Sequence, residues 1–253
     1  MVLLSLQSGS NGNCIYVEAG GVRLLFDAGI SGKQAAERLH RAGRDIAQVD
    51  ALIISHDHTD HVRCAGVYQR KFGFPLYCTE ATLHAARSSC ELGRLDEVCH
   101  FMRGETLCFG RVRVETIRTP HDGADGVAFI VDDGDSRLGI FTDLGHPFEE
   151  LKGALSSVDA ALIESNYDAE MLQRGPYPAF LKKRIAGPGG HISNIESADL
   201  IARCGTRLRW ACLGHLSETN NAPKLALGTH LAVNRGMTYH VAGRYGAGEW
   251  LLV

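Results

Sequence analysis

The sequence predicts an α/β fold in a single domain spanning residues 1–253. Three observations carry that reading. Apolar runs of strand length alternate with amphipathic stretches of helix length early and late in the chain, with a meander of strand-like runs between, the pattern of sheets packed between helices. No linker, low-complexity segment or charge block marks a domain boundary, and 253 residues suffice for one sizeable core. A dense polar cluster, Ser55-His56-Asp57-His58-Thr59-Asp60-His61, directly follows the apolar run Asp50-Ala51-Leu52-Ile53-Ile54. Open α/β folds place their sites at such C-terminal strand ends.

In chain order, residues 2–7, 13–18 and 22–27 read as short strands, with Gly20-Gly21 as the turn between the second and third. Ser8-Gly9-Ser10-Asn11-Gly12-Asn13, between the first two, is a small-residue loop whose backbone can approach a ligand closely, though alone it reads as an ordinary turn. Ser31-Gly32-Lys33-Gln34 resembles a capping box, followed by Ala35, Ala36, Leu39 and Ala42 at helical spacing. After the central strand and its His-rich loop, 62–72 reads as a helix, 75–78 as a strand and about 80–92 as a helix. Segments 98–101, 106–109, 111–118, 126–132 and 136–141 read as strands, with Asp133-Gly134 as a hairpin turn. Strand 158–163 ends at Glu164, helical stretches fill much of 168–186, and Gly187-Pro188-Gly189-Gly190 breaks the chain. Ser193-Asn194-Ile195-Glu196 is a second capping box, opening a helix to about Arg203. Strand 209–213 runs into Gly214-His215, a helix covers about 222–234, and two short strands close the chain.

Composition narrows the class. Apolar content of 45% and charged content of 22% are those of an ordinary soluble globular protein. A net charge of −3 argues against a general polyanion binder while leaving room for a local basic groove. Met1-Val2-Leu3-Leu4-Ser5-Leu6 lacks the basic start of a signal peptide, and no apolar stretch approaches the ~18 residues of a membrane span. The eight cysteines form no Cys-x-x-Cys pair and mostly sit in apolar runs, which suits free thiols better than a disulfide framework. A cytoplasmic enzyme with no membrane partner is expected.

Imidazole nitrogen and carboxylate oxygen are the ligand set of zinc, manganese or iron. A hydrolytic dinuclear site needs roughly seven or eight ligand positions around two ions ~3.5–4 Å apart, with a bridging water or hydroxide as nucleophile. His56 and His58 project to the same side of an extended segment and can grip one ion. Asp60 and His61 fall on the following turn, displaced toward a second. Three later residues share one context, a polar side chain just past an apolar strand: His121 in Thr119-Pro120-His121-Asp122, Asp143 in Ile140-Phe141-Thr142-Asp143, and His215 in Cys212-Leu213-Gly214-His215. Asp143 is the natural bridge, because a carboxylate has an oxygen for each ion. Each alone reads as a capping or surface residue; together with the loop they supply the number and type of ligands required.

His56-x-His58-x-Asp60-His61, followed by His121, Asp143 and His215 in that order, resembles the metallo-β-lactamase fold hydrolases, with no ligand position missing. The resemblance covers nearly the whole chain. It implies a four-layer αβ/βα sandwich with two divalent ions at one edge of the sheets. It assigns His56, His58, His121 and Asp143 to the first ion, and Asp60, His61, Asp143 and His215 to the second. Asp27 matches an aspartate expected to brace the His-rich loop rather than bind metal. Four further stretches resemble the YycJ-like (WalJ-like) branch: the 8–13 loop, Leu25-Phe26-Asp27-Ala28-Gly29-Ile30-Ser31-Gly32, Glu164-Ser165-Asn166-Tyr167-Asp168, and Gly190-His191-Ile192-Ser193-Asn194. That likeness implies a metal-dependent phosphodiesterase, a 5′-to-3′ exonuclease with DNA as its partner.

The departing oxygen of a phosphodiester needs a proton. His191 is similar to the His of the Gly-His-Ser stretch in ribonuclease Z, and Glu164 falls where that enzyme has a glutamate that orients this histidine. A carboxylate beside an imidazole holds its tautomer and favours its charged form, which suits a general acid. A capping His and a strand-end Glu in structural hydrogen bonds would look the same. With Asp60, these two form the candidate catalytic set. Ser10 and Asn13 in the small-residue loop, and Ser193 and Asn194 at a helix N-terminus that attracts phosphate, are candidate substrate contacts. Lys182, Lys183 and Arg184 could touch a polynucleotide backbone or form a solvated helix face. His84, His100, His146, His230 and His240 have no partner pattern and read as structural.

A small-molecule hydrolase of the same fold, cleaving a cyclic phosphodiester, lactone or thioester, is the alternative; the negative net charge and the lack of an appended nucleic-acid-binding arm favour it. Ribonuclease Z itself is disfavoured by the absence of a tRNA-gripping insertion. A flavodiiron-type module is disfavoured because those proteins carry a glutamate where His58 stands and an added flavin domain.

Overall fold

Fourteen strands form two seven-stranded sheets in the computed structural model, which describes all of residues 1–253. The first sheet contains β1 (Val2–Gln7), β2 (Cys14–Ala19), β3 (Val22–Phe26), β4 (Ala51–Ile53), β5 (Leu76–Cys78) and β6 (Val98–His100), neighbours in that order. The second contains β7 (Thr106–Phe109), β8 (Val112–Arg118), β9 (Val127–Asp132), β10 (Arg137–Phe141), β11 (Ala160–Glu164), β12 (Trp210–Gly214) and β13 (Thr238–Val241). The last strand, β14 (Leu251–Leu252), returns to pair with β1. Both sheets follow one plan. Strands β14-β1-β2-β3 and β7-β8-β9-β10 are antiparallel, while β3 to β6 and β10 to β13 are parallel.

Side-chain alternation explains the layering. In β2, Ile15 and Val17 enter the core between the sheets, whereas Cys14 and Tyr16 face the helices outside. The parallel strands β4, β11 and β12 are apolar on both faces, as strands covered on both sides must be. The inter-sheet core holds 24 buried residues, among them Phe26, Phe129, Ile140 and Leu162. Helices α1 (Gly32–Arg41), α2 (Thr59–Val62), α3 (Ala65–Phe72) and α4 (Glu80–Ser89) follow strands of the first sheet, and bury Leu39, Val62, Tyr68 and Ala86 on its outer face. Of the later helices α5 (Glu149–Ser157), α6 (Ala169–Arg174), α7 (Ala179–Ile185), α8 (Asn194–Cys204) and α9 (Pro223–Val233), the fifth, eighth and ninth bury Leu155, Ile201 and Ala226 against the second sheet. Each leucine so buried contributes about 1.5–3 kcal/mol. The result is the expected four-layer αβ/βα sandwich around one shared core.

Both capping boxes form, at Ser31 with Gln34 and at Ser193 with Glu196. Two helical expectations need correction. The helix expected over 62–72 starts earlier and splits into α2 and α3. The break is at Cys64, whose N–H donates to Ala28 O (3.0 Å), tying the loop to the end of β3. Helical stretches fill much of 168–186 as expected, as α6 and α7, parted where Pro176 and Pro178 have no N–H to continue a ladder. The helix expected to residue 92 stops at Ser89, where Cys90 turns extended (φ −133°, ψ 141°). All eight cysteines are free. No helix is long and apolar enough to cross a membrane.

Candidate metal centre

The parallel register of β3 with β4, and of β10, β11 and β12, brings their C-terminal ends to one edge of the sandwich. Strand β8 runs antiparallel to β9, and β9 to β10, so β8 ends at the same edge. Each of these six strands delivers a chemical group there: Asp27 after β3, the His-rich loop after β4, His121 after β8, Asp143 after β10, Glu164 as the last residue of β11, and His215 after β12. Asp27 (φ 64°), Asp143 (φ 55°) and His215 (φ 52°) are three of only four non-glycine residues with left-handed backbone. Such residues cost about 1–3 kcal/mol each and gather where function demands a sharp departure from the strand.

Asp27 holds the loop. Its Oδ1 accepts the Ser55 N–H (2.8 Å) and its Oδ2 the Ser55 hydroxyl (3.0 Å), and Oδ2 lies 2.7 Å from His61 Nδ1. That bond turns His61 Nε2 inward, 3.1 Å from Asp143 Oδ2 and 3.4 Å from Asp60 Oδ2. His215 Nε2 lies 3.3 Å from the same Asp60 oxygen. On the other side, His58 Nδ1 faces His121 Nε2 at 3.1 Å, and His121 Nε2 is 3.5 Å from Asp143 Oδ1. Gly190 O, 2.7 Å from His121 Nδ1, fixes that ring with Nε2 toward the cluster. The ligand atoms thus fall into sets with mutual separations within 4.8 Å: His56, His58 and His121; His56, His61 and Asp143; Asp60, His61 and His215.

These sets fit metal. His56 Nε2 is buried without a hydrogen-bond partner, which costs about 1–3 kcal/mol unless something binds there, and the buried Asp143 Oδ2 has His61 Nε2 3.1 Å away but accepts no well-aligned hydrogen bond. Separations near 3.3 Å are those between ligand atoms sharing one tetrahedral ion at ~2.0–2.2 Å. A fourth set, Asp143, Glu164, His191 and His215, differs in kind. There His191 Nδ1 lies 2.7 Å from Glu164 Oε1, so the pair satisfies itself.

Charge accumulation shows in the proton affinities of the metal-free protein. Burial alone would push His215 down, yet Asp143, Asp60 and Glu164 raise it to about 10. His61 is likewise raised against its burial by Asp143, Asp27 and Asp60. Asp143 and Asp60 are buried, which favours the neutral acid, but the surrounding histidines hold both carboxyls well below the usual range. Burial and the charge of His61 depress His56.

An open cleft of ≈ 350 Å³ leads to the cluster, and no apolar side chain lines it. Ser10, His58, Asp60, Asp143, Arg184, His191 and His215 are on its wall. Of the four candidate substrate contacts Ser10, Asn13, Ser193 and Asn194, only Ser10 faces this space, joined by Arg184 from the cationic stretch. Asn13 is 1% exposed: its amide lies 2.9 Å from His61 Nε2, and its Oδ1 accepts the Gly9 N–H, so it braces the His-rich loop. Ser193 is used up capping α8, and Asn194 Oδ1 accepts from Ser165 Oγ (2.6 Å) and Asn221 Nδ2 (2.8 Å). Two residues at the site escaped assignment from sequence. Asp122 takes Arg184 in a bidentate pair (2.6 and 3.1 Å) and lies 3.5 Å from His58 Nε2. Asn166 donates to His215 O (2.8 Å). Asp57, within the loop, lines the cleft and accepts the Ala124 N–H.

The profile of the Metallo-beta-lactamase superfamily matches residues 8–200, which takes in the whole cluster except His215. The chain is 37% identical over 224 residues to exodeoxyribonuclease WalJ of Streptococcus pneumoniae, covering 87% of this chain and 83% of the relative. It is 34% identical over 222 residues to exodeoxyribonuclease YycJ of Bacillus anthracis, covering 87% and 84%. Among solved structures, zinc-bound PqqB from Methylobacterium extorquens aligns over 100% of both chains with a TM-score of 0.75 at 19% identity, a likeness of fold alone. With profile, relatives and sandwich in agreement, the chain belongs to the metallo-β-lactamase superfamily.

Proposed function

We propose that this protein is an exodeoxyribonuclease that works with two divalent ions. The observation that carries the reading is the convergence of seven histidine and aspartate side chains, with the buried His56 Nε2 left without a partner, beside an all-polar cleft in a chain 37% identical to WalJ. His56, His58, His121 and Asp143 would hold one ion, and Asp60, His61, Asp143 and His215 the other. When bound, zinc, manganese or iron would neutralise phosphate charge and supply an activated water at neutral pH. The rest falls to the chain. Asp27 and Asn13 keep the His-rich loop in place, and Asp60 orients His61 and His215. His191 stands on the cleft wall with Nδ1 tied to Glu164, leaving Nε2 to protonate the departing oxygen. Glu164 is fixed in turn by the N–H groups of Leu144 (3.0 Å) and Ile192 (3.3 Å). Ser10 and Arg184 can donate to phosphate at the mouth.

The test is a substrate panel with zinc and with manganese: single- and double-stranded DNA with 5′-phosphate or 5′-hydroxyl, RNA, a cyclic nucleotide and a lactone. Release of nucleotides from DNA ends is the expected result, and the resemblance to the YycJ-like branch favours a 5′ start. Turnover confined to the cyclic nucleotide or the lactone would replace this reading with the small-molecule one.

A further inference from the structure

Phe180 in α7 is 75% exposed, on the rim of a polar site. A lone apolar residue at a surface is unremarkable, but the neighbours of this one are not. It lines a shallow groove of ≈ 390 Å³ together with Lys183, Arg184 and the glycine-rich turn at Gly187, Pro188 and Gly189. Arg184 also lines the cleft over the metal cluster, so groove and cleft meet at that side chain. Phe180 and Arg184 are four residues apart on one helix, hence on the same face and ~6 Å apart along its axis. Asp122 holds Arg184 through Nε and Nη2, which fixes the guanidinium and leaves its Nη1 donors for another acceptor. Lys183 is exposed, whereas Lys182 is already spent on Gln173 O (2.7 Å).

An open aromatic face beside Lys183 and beside Arg184, whose partner Asp122 also lines the groove, leads into a phosphodiesterase cleft and has the makings of a single-strand track: the donors follow the phosphates and the ring takes a base without regard to sequence. We propose that Phe180 is a stacking platform for a base of single-stranded DNA entering the site, with Lys183 and Arg184 holding the adjoining phosphates. The proposal rests on the nuclease reading above and adds the path by which the strand reaches the ions.

Phe180→Ala and Phe180→Trp are compared with wild type on a single-stranded oligodeoxynucleotide and on methyl p-nitrophenyl phosphate, which has no base to stack. Binding of a labelled, cleavage-resistant phosphorothioate oligonucleotide to the metal-loaded protein is followed by anisotropy. Phe180→Ala should lose roughly 5- to 150-fold in kcat/KM on DNA and in DNA affinity, the small diester being unaffected, and Phe180→Trp should retain both. An oligonucleotide abasic along its length should erase the difference between wild type and Phe180→Ala. Equal binding and cleavage of DNA by wild type and Phe180→Ala, or an equal loss on DNA and small diester, overturns the platform while the nuclease reading stands. A wild-type protein that neither binds nor cleaves DNA overturns that reading, and the platform with it.

Discussion

Nδ1 of His191 lies 2.7 Å from Oε1 of Glu164, and the same oxygen lies 3.1 Å from Nδ1 of His215. One buried carboxylate therefore steers two imidazoles, one on the cleft wall and one in the metal cluster. Burial would raise its proton affinity, but His191 and His215 pull it down to about 2. If His191 is the general acid, His191→Ala should slow hydrolysis of DNA by about 10²–10⁴-fold. A p-nitrophenyl ester, whose leaving group needs no proton, should lose far less, and metal content should stay the same. Untouched rates on both substrates would remove His191 from the reaction.

His58 tests the cluster itself. It contributes Nδ1 opposite His121 Nε2 but is partly exposed, so truncation leaves little cavity in the core. His58→Ala should abolish turnover and reduce bound metal while the far-UV circular dichroism stays native. Full activity in this variant would refute the ligand assignment.

Metal binding should tighten as pH rises. In the metal-free protein His215 is raised from 6.5 to about 10 and His61 is raised too, so both hold protons that an ion must displace. Each displaced proton strengthens apparent affinity up to about tenfold per pH unit below that pKa. The same raised value stabilises the metal-free fold below pH 6.5, and that contribution fades as pH rises through about 10. Zinc competition against a chromophoric chelator at about pH 6.5 and about pH 8.5 measures the first effect, and thermal melts of the metal-free protein the second. An affinity independent of pH would contradict this assignment of protons.

The seven clustered side chains were readable in sequence because each follows an apolar strand; parallel register sends most such ends to one edge, and two antiparallel steps bring the end of β8, with His121, to the same edge. What sequence did not disclose depends on which way a polar side chain turns once the sheets pack. Asn13 looked like a ligand contact in a small-residue loop, but Asp60 and His61, nearly fifty residues on, close over it. Ser193 and Asn194 were placed correctly at a helix start, yet their side chains serve the cap and Ser165. Asp122 stood in a quoted motif and gained no role, because its partner Arg184 arrives from 62 residues away.

Asp122 should matter to metal affinity without touching metal. Its Oδ1 is 3.5 Å from His58 Nε2 and 3.6 Å from His121 Nε2, beside two of the ligand histidines. Removing a carboxylate in that position typically weakens metal binding about 10–100-fold. Asp122→Ala should show such a loss by zinc competition, whereas Arg184→Ala, which keeps the carboxylate, should show much less. Equal and wild-type affinities in both variants would leave Asp122 as no more than an anchor for Arg184.

Gly29 sets how tightly the first loop and the His-rich loop can close. Its N–H donates to Asn13 O (2.8 Å), and the Asn13 N–H donates to Asp60 O (2.7 Å), so three backbone segments meet without side chains between them. A Cβ at Gly29 would lie 1.7 Å from Asp60 O and 2.5 Å from Asn13 N, both main-chain atoms with no room to yield. Gly29→Ala must therefore push Asp60 and His61 away from Asp143 and His215, or else break the Asn13 bridge. Overpacking of this kind costs about 1–3 kcal/mol or more, which at this chain length lowers the melting temperature by roughly 2–12 °C. The metal side should suffer more than the fold: a Gly29→Ala protein that folds is expected to lose zinc bound through Asp60 and His61 first. A variant with wild-type melting temperature and full metal content would show that these backbones can separate without cost.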